Sequence, residues 1–312
     1  TLANAAAGDA VFIVGNGVEL SVINDGLAGD QMGGMFGPPP GLFTIDSITD
    51  NSPAGDGELI VRSGTTSGDT TAIIAGTADL DGNVEVFNRD GDGASVSLQA
   101  DSFDIEGNLN ITNNEDDQSF FVVDTQADTD INVAGITTIS GGGATGTNAT
   151  LTVSGTSTFT GGVTLNDGVG SAQIIYDGST GGQTINSSIR GIVGGEGSLI
   201  IRNTNGVTIN TAVGAGGNEL RDMTLETGGD VTADAAVNAT DINIGTLSEL
   251  EANAAINGDV NFTGDGRFEL GDNVDFGHSV DNLTGTDGAG TLTSASAGAS
   301  TSVVTGPVGA TN

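Results

Sequence analysis

The chain has 312 residues, with 53 Gly, no Cys, no Trp and one Tyr, and its 41 acidic residues face six Arg and no Lys, a formal charge of −35. No basic face is available to displace counterions from phosphates, no thiol for a disulfide or thiolate metal site, and no apolar run of the roughly 18 residues a membrane-spanning helix needs. Nucleic acid and membrane insertion are therefore excluded as partners, while an apolar fraction of 36% in short alternating runs sets the chain apart from disordered acidic sequences.

In chain order, the small-residue start Thr1-Leu2-Ala3-Asn4-Ala5-Ala6-Ala7-Gly8 resembles a mature terminus left by a cleaved signal peptide. With the absence of Cys, it points to an exported protein, extracellular or at the cell surface. The apolar run Val11-Phe12-Ile13-Val14 and the run from Val18 to Ile23 read as strands. From about Asn24 to Pro53 the pattern lapses. This stretch holds Met32, Met35 and the run Pro38, Pro39, Pro40, and residues 1–54 are expected to form an N-terminal strand and an irregular insertion or cap.

Residues 55–290 carry period-two alternation. Val84-Glu85-Val86-Phe87, Phe103-Asp104-Ile105, Leu109-Asn110-Ile111, Ile131-Asn132-Val133 and Leu151-Thr152-Val153 are early examples. Val163-Thr164-Leu165, Val207-Thr208-Ile209, Ile242-Asn243-Ile244 and Val260-Asn261-Phe262 continue the pattern. Each predicts a short strand with one face buried, and Gly, Asn, Asp or Thr separates nearly every pair. Leu247 to Ile256 is the one segment of helical composition, although Leu247, Leu250 and Ala254 suit a turn and a strand equally well. Residues 291–312 form a Gly, Ala, Ser and Thr-rich tail.

An all-β fold follows. Aromatic residues are 4% of the chain, too few for a typical sandwich core, whereas Val, Ile, Leu and Ala suit a narrow core of stacked aliphatic ladders. Loose internal echoes point the same way: Gly57-Glu58-Leu59-Ile60-Val61-Arg62 returns as Gly197-Ser198-Leu199-Ile200-Ile201-Arg202 and, more distantly, as Gly266-Arg267-Phe268-Glu269-Leu270. The expectation is a parallel β-solenoid (β-helix) of about a dozen short-stranded coils, each of roughly 20–25 residues, after an irregular N-terminal region.

The run from Leu151 through Thr158-Phe159-Thr160 to Asn166, and Gly285-Thr286-Asp287-Gly288-Ala289-Gly290-Thr291-Leu292-Thr293, resemble bacterial autotransporter passengers and β-helical surface antigens. The acidic, Cys-free, Thr/Gly/Ala/Asp/Asn-rich balance is similar to that of surface-layer proteins. The resemblance covers about residues 55–295 and is one of composition and rhythm. No C-terminal membrane barrel is present in the sequence, and the total lack of Lys departs from the pattern.

Carboxylates are the main source of candidate chemistry. Asp79, Asp81, Asn83 and Glu85 place oxygen ligands at alternate positions, as a calcium loop does, but Val84 and Asp90 stand where an EF-hand needs Gly and Glu. Asp90 and Asp92 follow, so Asp79, Asp81, Asp90 and Asp92 are the candidate Ca²⁺ ligands. The alternative is that these aspartates are solvated turn residues. His278 is the sole His and no nucleophile elbow occurs, so the chain does not read as an enzyme. The sequence reads best as a structural subunit that pairs with copies of itself in a filament, sheath or surface layer. Val11, Phe12, Ile13, Val14, Val303 and Val304 are the candidate assembly strands. An adhesin-like module binding cations or glycans at its surface is the alternative, and a polysaccharide-active β-helix enzyme a second one.

Overall fold

The computed structural model describes residues 11–14, 19–23, 42–45, 47–50, 58–63, 70–74, 77–80, 83–88, 95–99, 102–113, 120–125, 130–142, 148–178, 181–295 and 301–309. The described elements are all strands, and every strand pairing among them is parallel. The fold is a parallel β-solenoid, and the chain divides into two compact units, Thr1–Gln173 and Ile174–Asn312.

In the first unit each turn of the chain lays down three strands. One wall stacks Val11–Val14, Ser47–Asp50, Thr77–Leu80, Ser102–Ile105, Asp130–Val133 and Ser157–Phe159. A second stacks Glu19–Ile23, Glu58–Ser63, Asn83–Asn88, Leu109–Asn113, Thr137–Ser140 and Val163–Asn166. The third takes Leu42–Ile45, Thr70–Ile74, Ser95–Gln99, Phe120–Thr125 and Asn148–Val153 in the same order. Leu42–Ile45 and Ser47–Asp50, inside the stretch expected to be irregular, already belong to these ladders.

Alternation in the sequence becomes alternation in burial, because side chains on a strand point to opposite faces in turn. Ser102–Ile105 and Asp130–Val133 are each half-buried, buried, half-buried, buried. Parallel register then aligns like with like. Val86, Ile111, Ile139 and Leu165 form one buried column, with Ile105, Val133 and Phe159 in another. Each such aliphatic side chain contributes about 1.5–3 kcal/mol by leaving water.

The second unit follows the same rule with fewer strands per turn. Gln183–Ile185, Val207–Ile209, Asp230–Ala233, Glu249–Ala252, Arg267–Leu270 and Thr291–Ser294 make one wall. Ser198–Ile201, Leu220–Leu225, Val237–Ile244, Ile256–Phe262 and Val280–Asn282 make another. Val207, Val231, Leu250 and Phe268 align in the core, as do Leu199, Met223, Ile242, Val260 and Val280. The tail is held within the chain: Val304 bridges to Phe276 and Val308 to Val280.

The expected count of about a dozen coils is slightly off. Three of the four sheets hold six or seven strands, and the solenoid has about seven turns. Coils of the first unit include some longer than assumed: the hydrogen-bonded neighbours Asn108 and Ile136 lie 28 residues apart. The segment with helical composition is a turn followed by strands, Glu249–Ala252 and Ile256–Phe262. At its start Leu247 takes a left-handed φ of 59° and is 75% exposed, so the turn, rather than a helix, receives this leucine.

Candidate functional site

Parallel register brings outward-facing carboxylates into rows. Asp222, Asp241 and Asp259 are successive partners along one wall, about 4.8 Å apart per rung. Like charges stacked this closely repel, and each member of the row has its own donor. Asp222 accepts from Arg221 at 3.0 Å and from the Ser198 hydroxyl at 2.8 Å. Asp241 accepts from the Asn261 amide at 2.9 Å, and Asp259 from the Ser279 backbone N–H at 3.0 Å. Asn132 reaches Asp104 at 2.7 Å and Asn253 reaches Asp234 at 3.0 Å in the same way. Asn in the rung next to Asp is the recurring device: it is the same size, uncharged, and donates to the neighbouring carboxylate.

The arginines serve the same end. Arg202 holds Glu226 with both Nε and Nη2, at 2.7 and 3.2 Å. That hydrogen bond to Glu226, ahead of the opposing effect of burial, raises the guanidinium pKa. Arg267 bridges Glu249 and Glu269, its partners in the rung below and on its own strand. Beside this pair Asp230 accepts the Glu249 backbone N–H at 3.1 Å. Burial nonetheless pushes its carboxyl pKa up, with that hydrogen bond and Arg267 acting in the opposite direction.

Two clefts in the second unit gather unlike groups. One, of about 440 Å³, is lined by Thr184, Thr208 and Thr232, which are successive partners, together with Asp230 and Glu251. The other, of about 490 Å³, is lined by the loop around Gly214–Glu219, by Asn238, Asn257 and Asp259, and by His278.

Of the candidate calcium ligands, Asp79 lies on the strand Thr77–Leu80, with Asp104 as its partner in the next rung. Its side chain, and all of Asp81, Asp90 and Asp92, lie outside the described residues. Among the described residues no three His, Cys, Asp or Glu side chains come together as a metal group, and no helix is long and apolar enough to cross a membrane. Val11, Phe12, Ile13 and Val14 form a strand last in its sheet, in register with Ser47 to Asp50. Their side chains also lie outside the described residues. Val303 and Val304 are placed on the tail, where the Val303 carbonyl accepts from Phe276 N–H at 2.8 Å. His278 is exposed, with its ring centroid 6.0 Å from that of Phe276. The fold and these rows define a parallel β-solenoid with an acidic, internally hydrogen-bonded surface. Comparison with protein-family models, with curated proteins and with solved structures finds no match.

Proposed function

We propose that this chain is a structural subunit that joins copies of itself, end to end and by strand pairing, into an extracellular filament, sheath or surface layer. The observation that carries the reading is the state of the outermost strands. Val11–Val14 and Thr291–Ser294 each stand last in a sheet, paired on one side with Ser47–Asp50 and with Arg267–Leu270. Among the described residues, Val11–Val14 and the stretch from Thr291 to Thr293 have no further strand on their other edge, whose backbone N–H and C=O groups are available to one. Apolar surface lies beside the second of these edges. The buried column from Val207 to Phe268 ends at a half-buried Leu292, while Val303 and Val308 are 43% and 58% exposed.

Contact between unlike ends is heterologous, so it generates an open polymer unless it closes into a ring. Calcium enters this reading as the counter-charge, with Asp79, Asp81, Asp90 and Asp92 as its first ligands. Electron microscopy of the purified chain, with calcium and then with excess chelator, tests both parts. Ordered polymers are expected, lost in the double variant Val303→Lys/Val308→Lys, because charge on an exposed edge blocks strand addition at little cost to folding. Dispersed particles in both conditions would sink the assembly, and polymers indifferent to chelation would leave cohesion to strand pairing alone.

A further inference from the structure

The 490 Å³ cleft owes its shape to coil length. The rung that runs through Val213 and Leu220 carries a loop, Ala215 to Glu219, between Gly214 and Leu220. In the next rung Leu220 pairs with Ala239, which directly follows Asn238, so that loop has no counterpart. The rung after that is just as short: Asn238 pairs with Asn257, and the register then slips so that Ala239 and Thr240 oppose Gly258 alone. This β-bulge is possible because residue 258 is Gly, since a Cβ there would run into the Ala239 carbonyl. The following coil is long again, and its segment Phe276 to Ser279 rises as the opposite wall. Two short coils between two long ones leave a notch about 14 Å from wall rung to wall rung, at three strand spacings.

The hydrogen-bonding inventory of the notch is selective. Asn238 spends its amide N–H on the Val213 carbonyl and its oxygen on the Asn257 amide, at 2.8 and 2.7 Å. That leaves the Asn257 oxygen and its second N–H facing the notch. Asp259 has one oxygen on Ser279 N–H and the other without a partner among the described residues. Among the described residues the Thr240 hydroxyl and the His278 ring nitrogens have no hydrogen-bond partner, while the Glu219 carboxylate lies against Gly194 in the preceding rung. The notch therefore combines unspent acceptors (Asp259, Asn257) with unspent donors (Thr240, His278, Asn257). An anion is repelled by the Asp259 carboxylate, by the nearby Glu219 and by the −35 charge of the chain. An alkylammonium ion has donors only and leaves the Thr240, His278 and Asn257 donors unanswered. A ring bearing neighbouring hydroxyls both donates and accepts, and its C–H face can lie against the exposed imidazole.

We infer that the notch walled by the loop from Gly214 to Glu219 and by His278, and floored by Asn257 and Asp259, is a binding site for a neutral sugar unit of one or two rings. The assignment does not depend on self-assembly, since every group belongs to one unit of one chain. Saturation-transfer NMR on the full chain tests it, with methyl β-glucoside, methyl β-galactoside, cellobiose and chitobiose as probes at millimolar concentration. At least one probe is expected to receive saturation. Its affinity should fall about tenfold in His278→Ala and in Asp259→Asn, the loss of one good hydrogen bond to a ligand. Glu251→Gln, in the other cleft, should leave affinity unchanged. Melting temperatures show whether each variant remains folded, and His278→Ala, at an exposed side chain, decides the matter if Asp259→Asn does not fold. Saturation of no probe, binding that survives both cleft variants, or binding of butylammonium but of no sugar would overturn the assignment.

Discussion

Thr137 has Leu109 and Val163 as its partners in the neighbouring rungs, and its hydroxyl oxygen is buried with no hydrogen-bond partner among the described residues. A hydroxyl buried unsatisfied costs about 1–3 kcal/mol, and Val has nearly the same shape without it. Thr137→Val should therefore raise the unfolding free energy by about 1 kcal/mol, read as a higher urea midpoint at unchanged slope. A lower midpoint would mean that the hydroxyl has a partner. The same position marks a limit of sequence reading. In Gly135-Ile136-Thr137-Thr138-Ile139, hydrophobicity alone puts Ile136 inside, yet Ile136 is 47% exposed and Thr137 is buried. Register, set by the neighbouring rungs, overrides the preference of one side chain. The Asp and Asn rows were equally illegible: Asn132 and Asp104 are 28 residues apart, and nothing local in either segment announces the other.

Strands were the legible elements, because alternation is a local signal and a buried face enforces it; which strand stacks on which was not. The echoes at Glu58, Ser198 and Arg267 suggest equivalent rungs, but Glu58–Ser63, Ser198–Ile201 and Arg267–Leu270 lie in three different sheets. They resemble one another because every wall needs an apolar strand entered from a Gly turn, so the likeness is of local role and not of stacked position. The notch with His278 was hidden for the same reason, since it follows from a loop missing in one coil relative to the next. Stacking has an energetic consequence that sequence likeness does not convey. Ile242 is fully buried between Met223 and Val260, so Ile242→Ala should cost about 2–5 kcal/mol. In a solenoid that cost is shared with nearest neighbours. Hydrogen exchange should accelerate first in Leu220–Leu225, Val237–Ile244 and Ile256–Phe262, with Ser102–Ile105 in the other unit unchanged. Equal acceleration in both units would show instead that the chain unfolds as one cooperative body.

For the molecule as a whole the decisive quantity is charge, and this was fully legible from composition. Short-range repulsion along the Asp222–Asp241–Asp259 row is offset locally, as Arg221, Asn261 and the Ser279 N–H each donate to one member. What remains is the long-range field of a −35 chain, which no single hydrogen bond removes. That field is screened over about 30 Å at 0.01 M salt and about 10 Å at 0.1 M, so its cost to the folded state falls as salt is added. The melting temperature should therefore climb with NaCl across this range and level off once the screening length drops below the spacing of surface charges. Calcium separates screening from site binding. At matched ionic strength, a bound ion adds stability in proportion to the logarithm of its concentration above its dissociation constant, whereas screening adds nothing further. We expect an additional rise with calcium that disappears in Asp79→Asn/Asp81→Asn. A melting temperature flat in NaCl would remove self-repulsion as a significant contribution to stability. A calcium increment that survives the double substitution would move the ion to a different set of carboxylates.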